Sequence, residues 1–124
     1  MRRVGMLWRD RRGAVAVEAA FVLPVLLAAL LGLMECGRLA WTKATLLFAV
    51  EEAARCSAIG ACATNAAVIA RAVERAGPVA APASAFSVTA AACGTEVRAQ
   101  WTPPFVAYKL APGAPPLRAR YCRR

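Results

Sequence analysis

From Ala14 to Met34 the chain reads AVAVEAAFVLPVLLAALLGLM, a run in which Glu18 is the sole ionisable residue. At about 1.5 Å per residue a helix of this length spans about 31 Å, matching the hydrocarbon core of a bilayer. Backbone amides find no water there, so the segment must satisfy them internally as a helix. Arg9, Arg11 and Arg12 crowd its N-terminal side, whereas Glu35, Arg38 and Lys43 follow it. That asymmetry predicts a cytoplasmic N-terminus, a single pass through the bacterial inner membrane and an exported remainder. The expected organisation is a basic cytoplasmic leader over 1–13, a transmembrane helix over 14–34 and an exported domain over 35–124. A cleaved secretory signal shares the basic start. The apolar run is longer than the usual signal core, however, and passes into Glu35-Cys36-Gly37-Arg38 without a small-x-small cleavage site, which favours a retained anchor. Pro24 is tolerated inside a membrane helix and predicts a mild kink.

With 124 residues in all, the chain has room for one membrane segment and one modest domain. The net charge of +9 raises nucleic acid as a partner. The arginines are dispersed, however: Arg2, Arg3, Arg9, Arg11 and Arg12 precede the apolar run, and Arg118, Arg120, Arg123 and Arg124 end the chain, with no basic helix interleaved with aromatics between them. No nucleic-acid partner is expected. The absence of histidine removes the usual general base, and no glycine-rich phosphate loop is present. Glu51, Glu52, Glu74 and Glu96 read as solvated helix or strand faces. Neither an enzyme nor a cofactor is expected.

Beyond the membrane run no proline interrupts residues 37–57, and Leu39, Leu46, Leu47, Val50, Ala53 and Ala54 recur near helical spacing opposite Lys43, Glu51, Glu52 and Arg55. The spacing predicts one helix continuing to about Ile59, closed by Gly60 as a left-handed cap. Thr64 or Asn65 caps a second helix, with Val68, Ile69, Ala72, Val73 and Ala76 on one face and Gly77-Pro78 as its stop. After a proline-alanine linker over 77–84 the period changes to two. Phe86, Val88 and Ala90, then Val97, Ala99 and Trp101, then Leu117, Ala119 and Tyr121 mark three half-buried strands. Cys93-Gly94-Thr95 is the expected hairpin turn, and Pro103 to Pro116 a long loop. The fold class is α+β, with a small three-stranded antiparallel sheet laid on the exported helices.

Cys36 sits at the end of the apolar run, while Cys56, Cys62, Cys93 and Cys122 fall in the exported part. Four cysteines outside the cytoplasm imply disulfides, with three pairings possible. The preferred one joins Cys56 to Cys62 across the helix break and Cys93 to Cys122 between the first hairpin and the last strand, both on the polar face of their strands. Zinc is the rival; without histidine it would need four thiolates, and the C-x-x-C spacing is missing.

Glu18 costs a few kcal/mol within an apolar helix, although it lies near the boundary and in the first turns, where the helix dipole favours negative charge. It is also the fifth residue after Gly13. Basic residues, Gly13, an apolar helix and a glutamate at that distance resemble the signal of type IV pilins and pseudopilins. The string RRGAVAVEAAFVLPVLLAALLGLMECGRLAW is similar to the opening of TadE-like proteins of the tight-adherence (Flp) pilus, and ATLLFAVEEAARCSAIG to their alanine-rich continuation. The resemblance covers the first half of the chain well and the second half in outline. It implies a pilin-like fold, cleavage between Gly13 and Ala14 by a prepilin peptidase, and a subunit-packing role for Glu18 facing a neighbour's new N-terminal amine. The partners it implies are that peptidase, the major Flp pilin, a sister TadE/TadF-type subunit and the inner-membrane assembly platform. Ala19 departs from the tyrosine that often follows this glutamate in such proteins. The alternative is a single-pass membrane-anchored envelope protein, a binding or structural module unrelated to pili.

Overall fold

The computed structural model describes residues 11–124. The arginines at positions 2, 3 and 9, and with them most of the expected leader, lie outside the described residues. Helix α1 runs Arg11–Ala58 and is continuous through Pro24. The chain divides between Cys36 and Gly37 into two units. The first is the apolar part of α1, and its large side chains are uncovered all round, from Leu27 at 49% exposed to Phe21 at 75%. A helix that is apolar on every side is one built for lipid or for other helices.

In the second unit, the remainder of α1 turns one face inward. Thr42, Leu46, Ala49, Val50, Ala53 and Ala54 are buried, the three-and-four spacing of one helical stripe. Leu47 does not share it and stands 43% exposed. Helical geometry rotates it away from Leu46, and the alanine two positions on fills the stripe instead. The buried Thr42 hydroxyl donates to the Arg38 carbonyl at 2.8 Å, so no polar atom there is orphaned. At the far end the amide of Gly60 donates to the Ser57 carbonyl (3.0 Å) and that of Ala61 to the Cys56 carbonyl (3.0 Å). With Gly60 at φ 73° this is a Schellman closure.

Helix α2 (Asn65–Arg75) starts at Thr64, whose hydroxyl accepts from the Ala67 amide, and buries Val68 and Ala72. Residues 77–84 are more than a linker. Two 3-10 turns, Gly77–Val79 and Ala83–Ala85, fold them back, and Ala81 and Ala85 join the core. Strands β1 (Phe86–Ala91), β2 (Gly94–Trp101) and β3 (Leu117–Arg123) form an antiparallel sheet in the order β1-β2-β3. Its register aligns Phe86 with Ala99 and Ala119, and Val88 with Val97 and Tyr121. Most of the residues expected to face inward do so. Ala90 is the exception and is exposed; paired with Thr95 beside the hairpin, it lies past the last core pair. Helix α2 packs against β1. The segment expected as an open loop contains a short helix, α3 (Val106–Leu110). Pro103 is fully buried before it, and the Tyr108 hydroxyl donates to the Pro115 carbonyl at 3.1 Å behind it.

Nine of the fourteen buried apolar residues are alanine, so the core buries little surface per residue and gains from covalent ties. Disulfides join Cys56 to Cys62 and Cys93 to Cys122, with Cα atoms 5.3 and 6.1 Å apart. Cys93 occupies the β1–β2 turn rather than a strand face, because β1 ends at Ala91. Cys122 pairs with Glu96 in the sheet, so the bridge pins the hairpin turn to β3. Next to it Gly94 has φ 116°, and a Cβ there would overlap the Arg123 carbonyl.

Both features give measurable outcomes. Gly94→Ala is expected to destabilise the domain by about 1–3 kcal/mol, since φ and contact are both unfavourable; an unchanged denaturation midpoint would contradict this geometry. Replacing Cys93 and Cys122 together by alanine is expected to cost about 2–5 kcal/mol in the same assay. Native alkylation followed by peptide mapping should label Cys36 alone, the free and exposed cysteine.

Candidate functional site

The residues singled out from the sequence fall in two places. Gly13, Ala14 and Glu18 belong to the first unit, and the four bridged cysteines to the second. The Gly13–Ala14 bond lies within α1, with both residues exposed and open space around the Gly13 Cα. Glu18 is exposed one turn further on. Among the described residues no hydrogen bond or ion pair engages it. Its carboxylate is therefore available to a cation supplied by another molecule.

Glu18 does not stand alone on its side of the helix. At 3.6 residues per turn, Val22, Val25, Ala29, Gly32 and Cys36 follow it along one stripe. Apart from the two valines these side chains are small, and small residues let a neighbouring helix approach closely in lipid. The composition of this stripe was legible in the sequence once the helix was phased on Glu18; counting alanines along the chain does not reveal it. Its opposite ends carry the two polar functions of the segment, the carboxylate of Glu18 and the thiol of Cys36.

Elsewhere the chemistry is sparse. The four thiolates that a zinc site would need are in disulfides, and among the described residues no three His, Cys, Asp or Glu side chains gather around a common point. Ion pairs lie within the second unit. Arg71 meets Glu74 at 2.8 Å along α2, and Arg98 meets Glu96 at 2.7 Å on the outer sheet face. The hydrogen bond from Arg98 holds the Glu96 carboxyl below the usual glutamate range, helped by the charge of Arg120 across the sheet. A lowered carboxylate favours the folded state above the ordinary glutamate value and loses that advantage as the pH falls through the folded one. Arg98 is solvent-facing while the Glu96 side chain is only 12% exposed, and with one partner in water the pair orders the sheet surface more than it stabilises the fold. Glu51 and Glu52 point in different directions from adjacent helix positions and form no paired acid site.

The first unit thus offers a helix surface for association, and the second is a stapled domain. No curated protein and no solved structure gives a significant match to the chain. The model of the TadE-like protein family matches residues 13–55, so the stretch of α1 from Gly13 to Arg55, with Glu18 and the stripe that follows it, is similar to TadE-like proteins.

Proposed function

We propose that the protein is a minor pseudopilin or assembly component of a bacterial Tad/Flp pilus, held in the inner membrane by α1 and acting through helix association rather than catalysis. The observation that carries this reading is the match over residues 13–55, in which a glycine, a glutamate five residues later and an uncovered apolar surface occur together. A prepilin peptidase cutting between Gly13 and Ala14 would leave the helix in the membrane and create a new amine at Ala14. That amine and the Glu18 carboxylate lie one turn apart on a single chain. Between staggered copies or sister subunits, the carboxylate of one is free to meet the amine of the next. Two such charges at 4 Å attract by about 4 kcal/mol at an effective dielectric near 20, before desolvation is subtracted. The association is therefore specific in register without being irreversible. The major Flp pilin, a TadE/TadF-type sister and the inner-membrane platform are the partners with which such a helix would pack.

Orientation follows from the arginines before the apolar run, which favour a cytoplasmic start and an exported disulfide-bonded domain. Two intramolecular bridges in so small a domain are consistent with an oxidising compartment.

Intact-mass analysis of the protein from native membranes tests maturation. The expected chain begins at Ala14, and a mass corresponding only to Met1 would count against pseudopilin processing. Glu18→Ala is expected to leave membrane insertion unchanged and to lower co-purification with pilus partners about tenfold, the equivalent of one modest ion pair. Undiminished recovery of those partners would remove Glu18 from the association.

A further inference from the structure

The sheet ends at β3, and among the described residues no strand lies beyond it. The hairpin fixes which backbone groups that edge presents. Its turn is Ala92-Cys93, and every residue pair from Ala91 with Gly94 to Phe86 with Ala99 is in register. The pair that closes a two-residue turn exchanges both of its hydrogen bonds, and along an antiparallel ladder such pairs alternate with pairs that exchange none. Gly94, Glu96 and Arg98 therefore direct their amides and carbonyls toward β1, and Thr95, Val97, Ala99 and Trp101 toward β3. Their partners in β3 are Arg123, Tyr121, Ala119 and Leu117. The amides and carbonyls of Arg118, Arg120 and Cys122 are left pointing out of the sheet, and no backbone hydrogen bond from a turn or loop reaches them. The two arginines also project from the outer sheet face, with Ser87, Arg98 and Gln100 as cross-strand neighbours, and both are exposed. Among the described residues neither is paired with a carboxylate. Glu96, the sole carboxylate in the three strands, is held by Arg98 at 2.7 Å, and its charge reaches Arg120 only at longer range. Arg98 and Arg120 stand directly opposite each other, an arrangement of like charges that costs stability and that an added anion relieves.

We propose that the edge of β3 accepts an extended acidic peptide segment as a fourth strand. The segment pairs through the outward amides and carbonyls of Arg118, Arg120 and Cys122 and sets carboxylates at alternate positions opposite the two arginines. A peptide is the occupant that fits, because another strand supplies both donors and acceptors at the spacing of this edge. Main-chain bonds then give affinity and alternate side chains give specificity. Between its acidic residues the added strand turns apolar side chains to the inner face, beside the half-buried Leu117 and Tyr121. Glu96 limits the motif: it lies opposite Cys122, so a neutral residue belongs at that level. A second copy of this chain is a poor occupant, since β3 laid on β3 brings arginine beside arginine. The site lies wholly within the second unit and is independent of any role in pili.

The test uses the full chain in zwitterionic detergent micelles at low ionic strength. The probe is a short blocked peptide with glutamate at two alternate positions, valine between them and threonine outside; its control has the same composition with the glutamates adjacent. The alternating peptide is expected to bind at least about tenfold more tightly than the control, the effect of two opposite-charge cross-strand pairs taken together. On binding, amide exchange at Arg118 and Arg120 should slow by about tenfold or more, while that at Ala119 and Tyr121, already bonded to β2, changes less. Equal affinity for the two peptides, or binding without protection at Arg118 and Arg120, would overturn the proposal, the arginines then being a general attractor of anions. Anionic lipid vesicles or a short oligonucleotide that bound as tightly at matched charge would overturn it too. Both arginines are exposed, so Arg118→Ala with Arg120→Ala should retain the Cys93–Cys122 bridge and weaken the alternating peptide about tenfold; undiminished binding would remove the two side chains from the site. If that variant fails to fold, methylating the backbone nitrogens of the peptide's two glutamates leaves the protein untouched and is expected to abolish binding, whereas retained affinity would show that no strand is added.

Discussion

A helix that enters hydrocarbon cannot stop there, because each backbone amide or carbonyl left open would lose its hydrogen bond with no water to replace it. That constraint governs much of this molecule. Pro24 removes one donor from the ladder without ending it, and the helix runs on past Met34 to the Schellman closure at Gly60. The same helix thus supplies the apolar anchor and then, from Thr42 onward, the central stripe of the domain's core. One element performs two tasks that differ only in what covers its side chains. Leu and Val project on every side in the first part, and a single stripe of small and medium residues does so in the second.

The small size of those core residues sets the next constraint. Alanines at 49, 53, 54, 72 and 76 belong to one buried cluster, but a methyl group removes little surface from water compared with leucine or phenylalanine. Covalent and conformational devices take up part of the burden. The Cys56–Cys62 bridge closes over the Schellman turn, where two cysteines six residues apart face each other because the chain reverses at Gly60. The Cys93–Cys122 bridge and the close approach of Gly94 to Arg123 tie the hairpin turn to the last strand. The hydroxyls of Ser57 and Thr95, 3.1 Å apart, link the end of α1 to the beginning of β2. Each tie acts at an edge of the core, where alanine packing is thinnest.

Periodicity made the regular elements legible. The helix closing at Gly60, the Thr64 cap, the three strands and their inward faces all follow from hydrophobic spacing and turn chemistry that local sequence contains. The disulfide partners followed too, because helix break and hairpin brought each pair together. What could not be read were features fixed by distant partners. Residues 77–84 look like a flexible linker by composition, yet Ala81 and Ala85 are buried because the body of the domain receives them. Leu47 fits a loose helical pattern but misses the stripe by one position, an error that only the full phase of the helix exposes. The helix α3 hides between prolines, and it is held by the Tyr108–Pro115 hydrogen bond and the Arg38–Phe105 stack, neither of which has a local signature. For the membrane segment, Gly13 and Glu18 were visible at once, whereas the stripe linking Glu18 to Cys36 emerged only when the helix was phased as a solid object.

The family segment ends at Arg55, close to where α1 itself ends. This coincidence has a physical basis. A helix that must pack against like helices in lipid is constrained residue by residue along its whole surface: by the spacing of the glutamate from the glycine, by small side chains at the contact face, and by a length that spans the bilayer. The second unit folds around one stripe of its own part of α1, from Thr42 to Ala54. An alanine-rich core with two staples can do so with many sequences, because volume and pattern are enough to fill it. The match thus takes in both the uncovered apolar part of α1 and the stripe of it that the second unit buries.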